Sequence, residues 1–81
     1  MMIKFETDSN GEGVEIIFDS NGIDEFIAYL QSIKKENDHL HLLVGNELSE
    51  EKVSDNENTN VKHVKIVYLP RSWIRWTSFA N

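Results

Sequence analysis

Cysteine is absent from the 81 residues, so a disulfide framework, a zinc ribbon and a thiol nucleophile are all excluded. That absence also fits a reducing cytoplasm, the compartment expected for this chain. Apolar residues never run to the roughly 20 needed for a membrane span, and the start, Met1 to Glu6, has no apolar leader core. No P-loop, GxGxxG or internal repeat occurs, and no serine or threonine sits in a nucleophile motif. Acidic side chains are missing from residues 61–81, although the whole chain is acidic with a net charge of −6.

What is present is distributed unevenly. Residues 1–60 carry all 14 acids against Lys4, Lys34, Lys35 and Lys52, a balance of −10. Residues 61–81 carry Lys62, Lys65, Arg71 and Arg75, a balance of +4. An acidic body repels phosphate backbones, which argues against a nucleic-acid partner, and it steers a basic protein partner instead. Simple solubility is the plainer reading of the same charge. With 40% apolar residues, the length is that of one small globular domain, with room for about one sheet and one helix.

The hydrophobic periodicity orders that domain. Ile3 and Phe5 alternate with Lys4 and Glu6, and Val14, Ile16 and Phe18 alternate with Glu15, Ile17 and Asp19. The Asn10-Gly11 turn region between them predicts a β-hairpin. Ile23, Phe26, Ile27, Leu30 and Ile33 then form one stripe of an amphipathic helix over residues 22–35. Ser20 or Asn21 is the expected cap, with Asp24 and Glu25 in the first turn and Lys34 and Lys35 in the last. A third strand follows from His39 to Val44, ended by Gly45. A fourth runs from Val61 to Leu69, where Pro70 stops strand pairing because it has no N–H. The expectation is an α+β domain over residues 1–69, ordered ββαββ, as a four-stranded, mostly antiparallel sheet with the helix packed on one face. The opposite face would present Lys4, Glu15, Ile17, His39, His41, Leu43, His63, Lys65 and Val67.

Four features could carry function. His39 and His41 share a strand face and His63 is expected nearby; three imidazoles with an open position would resemble a catalytic zinc site, while exposed polar residues are the simpler reading. No metal or other cofactor is expected. The many carboxylates need a desolvated concave pocket to act as an acid–base pair, and so small a sheet rarely encloses one, so catalysis is not expected. The segment after the third strand, residues 46–60, is either a solvated loop with Leu48 at the core edge, or an anionic rim of Glu47, Glu50, Glu51, Asp55 and Glu57 for a basic partner. The tail, residues 70–81, places Trp73, Trp76 and Phe79 around Arg71 and Arg75, a composition found at interface hot spots. It would fold back, pair with a second copy as a homodimer, or meet a partner; its two charges fall short of a membrane anchor.

Four segments carry a family resemblance: the helix from Gly22 to Leu30, the strand from Asp38 to Leu42, the Gly45-Asn46-Glu47-Leu48-Ser49-Glu50 loop, and the last strand from Val61 to Ile66. With the H-x-H strand, Glu-Leu-Ser and a histidine on the final strand, residues 1–69 resemble the small bacterial immunity proteins of polymorphic-toxin systems. The resemblance implies a non-catalytic protein that neutralises a cognate toxin by occluding its active site or another surface that the toxin needs. A homo-oligomeric or adaptor module is the second expectation.

Overall fold

A computed structural model describes residues 1–51 and 58–70. The chain is a small α+β protein with one helix and antiparallel strands, in the order β1 (Ile3–Thr7), β2 (Val14–Phe18), α1 (Ser20–Glu36), β3 (His39–Leu43), β4 (Thr59–Asn60) and β5 (His63–Val67). The hairpin forms as expected: β1 and β2 pair antiparallel from Ile3↔Phe18 to Thr7↔Val14. Asp8 organises its turn, accepting from the amide of Glu12 at 2.9 Å, and Gly11 takes the left-handed φ of 71°.

The single four-stranded sheet is not what forms. One sheet has the order β2-β1-β4 and a second contains β3 and β5. The expected fourth strand is the reason. Its approach, Thr59 and Asn60, pairs with Thr7 and Glu6 of β1, and the Val61 amide still donates to the Phe5 carbonyl at 2.8 Å. One residue later the allegiance changes. The Lys62 carbonyl accepts from Val44, and His63 to Val67 pair with Leu43 back to His39. The same run of backbone thus serves two sheets in succession.

Helix α1 begins earlier than the sequence predicts. Asp19 is its cap, accepting from Gly22 N at 2.7 Å and from Met2 N at 2.9 Å. These two backbone hydrogen bonds, Met2's first, lower the Asp19 carboxyl below its usual value. The expected caps Ser20 and Asn21 lie inside the helix, and Asp24 and Glu25 fall beyond its first turn; Lys34 and Lys35 do occupy the last turn. Asn37 closes the C-terminus in the left-handed conformation, its amide donating to Ile33 O. Gly22 is required by close approach: a Cβ there would collide with the Met2 carbonyl.

The expected helical stripe is also rotated. Gly22 and Ile33 are buried, and Phe26 and Tyr29 pack on the core, whereas Ile23, Ile27 and Leu30 remain 45%, 47% and 40% exposed. The core itself is Ile3, Phe5, Leu42 and Leu48, with Phe26 joining Phe5 and Phe18 at ring separations of 6.2 and 5.2 Å. Among the described residues, no helix is long and apolar enough to cross a membrane.

The largest departure is on β1, which is closed on both faces. Lys4 and Glu6, expected on an open or alternating polar face, are only 1% and 2% exposed. Lys4 Nζ lies 3.5 Å from Glu6 Oε2 and donates to Asn60 Oδ1. Asn60 Nδ2 in turn donates to the Glu50 carbonyl, and Ser49 N donates to Ile3 O, which fastens the connection along this strand.

Removing one charge strands the other out of water. Lys4→Met is therefore expected to destabilise the fold by about 3–5 kcal/mol. Ile3→Ala, which opens a cavity at a fully buried position, should cost about 2–5 kcal/mol. Chemical denaturation of the two variants checks both values; a Lys4→Met loss no larger than that of a surface substitution would show that the pair is not buried in solution.

Candidate functional site

The end of β3 builds an acidic turn. Gly45 adopts a φ of 91°, which an L side chain rarely tolerates, and this reverses the chain. The amides of Asn46 and Leu48 both donate to Leu43 O at 3.0 and 3.1 Å. Leu48 is buried as a core anchor, which holds the turn against the body. Glu47 folds back so that its Oε1 accepts from Leu43 N at 3.0 Å, while Glu50 and Glu51 are exposed.

Helix α1 adds to this surface. The Tyr29 phenol is pushed up, first by burial and then by the negative charges of Glu25 and Glu47, with Glu25 also sharing a hydrogen bond with it. Glu25 and Tyr29 thereby join Glu47 as neighbours, a grouping that sequence spacing does not display, because 18 positions separate Tyr29 from Glu47. Among the described residues the ion pairs of the body involve Lys4 with Glu6, His39 with Asp38, and the Met1 amine with Asp19; none reaches Glu25, Glu47, Glu50 or Glu51. Among the described residues, the turn is an anionic surface with no counter-cation paired to it. Asp55 and Glu57, the other expected members of the rim, and Trp73 and Trp76 of the tail lie outside the described residues.

The imidazoles do share a face. His39 and His41 point outward from β3 and His63 from β5, and His41 Nδ1 and His63 Nε2 are 2.7 Å apart, one donating and the other accepting. His39 stands edge-on to His41 with ring centroids 5.1 Å apart and turns its Nδ1 to Asp38 Oδ1 at 3.1 Å. Each ring thus has a protein partner, and among the described residues no group of three or more histidines and carboxylates is placed to hold a metal ion. What the row does instead is oppose its own protonation. His41 is lowered below the usual imidazole value, first by burial and then by the positive charge of His63, His39 and Lys65.

A cleft of about 260 Å³ lies at the hairpin, lined by Glu6, Asp8, Gly13, Val14, Glu15 and Asn58. Sequence reasoning missed it, since Glu6 and Glu15 meet only through the β1–β2 register and Asn58 arrives from the far connection. Glu15 Oε1 accepts from Asn58 Nδ2 at 3.5 Å.

Comparison of the chain with protein-family models, curated proteins and solved structures finds no match.

A lowered His41 has a defined consequence for pH. The unfolded chain takes up that proton near pH 6.5, and the folded chain only at lower pH. Stability is therefore complete above about pH 6.5 and declines as pH falls toward the folded value. In His41→Gln this decline between about pH 7 and pH 5 should shrink relative to the parent chain. Urea melts across that range check it, and parallel curves would show that His41 titrates normally.

Proposed function

We propose that this chain works by binding, as an immunity protein that neutralises a cognate toxin by covering a surface that the toxin needs. The observation that carries this reading is the anionic turn: Glu47, Glu50 and Glu51, joined by Glu25 from α1, with no counter-cation among the described residues. Such a surface accelerates encounter with a basic partner, and nuclease domains are basic because they must attract phosphates. Asp55 and Glu57 extend the acidic sequence of the same connection. The resemblance of residues 1–69 to small bacterial immunity proteins supports the same reading. No catalytic step and no cofactor enter it: the turn supplies charge and shape, and its core anchor Leu48 keeps both in place before the partner arrives. The protein acts in the cytoplasm, on a toxin domain that has reached it.

The partner is sought among proteins encoded beside this chain, as one whose growth arrest in a bacterial host is relieved by co-expression. With that partner, Glu50→Lys/Glu51→Lys should slow association about tenfold at low salt and much less at high salt, with dissociation little changed. Glu47→Gln keeps the acceptor for Leu43 N while removing the charge, and should give a smaller slowing in the same direction. Stopped-flow association at several salt concentrations measures this. An association rate unchanged at every salt concentration removes the acidic turn from the interface.

A further inference from the structure

Strand β2 is the outer strand of its sheet, and among the described residues its far edge has no partner strand. Soluble proteins commonly protect such an edge with lysine, proline or a bulge. The run Val14-Glu15-Ile16-Ile17-Phe18 has no lysine or proline, and it pairs with β1 residue for residue, without a bulge. Val14 and Ile16 are 60% and 48% exposed. They share a strand face with Phe18, the face that carries α1 through the Phe18–Phe26 ring contact.

Helix α1 continues this apolar surface. Ile23, Ile27 and Leu30 succeed one another at i, i+4 and i+7, and so form one line along the helix, each 40% exposed or more. At about 100° per residue they lie to one side of the core-facing line Gly22, Phe26, Tyr29 and Ile33, and Glu25 lies to the other. Tyr29 is close to both Glu25 and Glu47, and Glu47 follows β3, so the Ile23 line is on the side of β2. Five of the nine large apolar residues exposed among the described residues thus share one side of the molecule. An apolar surface of that kind beside an open strand edge marks a contact site.

We propose that a second copy of the chain docks here, with β2 pairing antiparallel to the partner's β2 about a two-fold axis at Ile16. The strand is complementary to itself in that register. Ile16 meets the partner's Ile16, Val14 the partner's Phe18 and Glu15 the partner's Ile17, so no charge directly opposes its like. Two three-stranded sheets become one of six strands, with both helices on the same face. Val14 and Ile16 of both copies floor the trough between the helices, and the two lines of Ile23, Ile27 and Leu30 form its walls. The axis sets the helices antiparallel. Asp24 of one copy therefore lies toward the partner's Lys34, which extends the apolar line one turn past Leu30. The acidic turn lies on the other flank of α1, so the dimer presents it twice, and the pairing stands or falls independently of toxin binding.

The full chain is the test sample. Light scattering during size exclusion should give twice the 9.4 kDa mass of the chain, falling toward one chain on dilution. Ile16→Lys and Ile27→Glu, both at exposed sites, should each return the mass to one chain without changing the far-ultraviolet circular dichroism. Leu43→Lys, exposed on β3 away from this side, should remain a dimer. Because the chain has no cysteine, Ile16→Cys introduces one thiol, which the axis sets against its own copy. Mild oxidation should link that variant into a covalent dimer while Leu43→Cys stays mostly unlinked. A mass of one chain at every concentration overturns the proposal. So does a dimer that persists in both folded variants, or equal linking of the two cysteine variants, either of which assigns the contact to another surface. A mass above two chains overturns it as well, since a two-fold pair is closed.

Discussion

Strand β1 is closed to water on both faces, and the rest of the molecule is arranged around that constraint. Ile3 and Phe5 take one side, where Phe18 and Phe26 meet them. Lys4 and Glu6 take the other, where an ammonium and a carboxylate without water are tolerable only as partners. Asn60 satisfies Lys4 further and binds the Glu50 carbonyl. The buried pair therefore specifies where the long connection must return: β4 is drawn to the edge of β1, and the acidic turn is brought alongside. A purely apolar strand at this position would lose these side-chain ties and leave β4 and residues 49–51 to backbone bonds such as Ser49 N to Ile3 O.

Much of this order is legible from alternation and period. The hairpin, the helix and the β3 and β5 strands all declare themselves, since each has one face more apolar than the other. What the pattern conceals is the environment of the less apolar face. Lys4 and Glu6 read as solvent-facing because a charge is normally exposed, and only the cross-strand arrival of Asn60 makes the alternative stable. The helix presents a second ambiguity. Phe26 and Ile27 are adjacent apolar residues about 100° apart, so a single stripe drawn through both cannot decide which line turns inward. Gly22, which lets the helix approach Met2, and Tyr29, whose hydroxyl finds Glu25, decide it in favour of the Phe26 line. The two-residue β4 is hidden for a different reason: Thr59 and Asn60 have no hydrophobic pattern at all, and what holds them is backbone pairing with β1 and the Asn60 side chain on Lys4.

The candidate surface shows the same division. Charge counting singles out Glu47, Glu50, Glu51, Asp55 and Glu57; of these, Glu47 sits in the turn after β3, and Glu50 and Glu51 are exposed on the segment just beyond it. It does not reveal that Glu47 also serves the backbone, closing the turn through Leu43 N, nor that Glu25 and Tyr29 are its neighbours across the fold. The histidines illustrate how little a shared face specifies. His41 and His63 meet, but nitrogen to nitrogen through a shared proton, and His39 turns toward Asp38. Ligand chemistry needs lone pairs converging on one empty point, and facing imidazoles satisfy each other first.

The backbone that passes from β4 to β5 has a mechanical meaning. Between the Val61 amide on Phe5 and the Lys62 carbonyl on Val44 there is no spare residue, so neither sheet can peel away while the other keeps its hydrogen bonds undisturbed. A chain of two small sheets joined by a slack linker would melt in two stages. Here the junction is taut, and loosening at either end strains the other, so the two sheets are expected to come apart together.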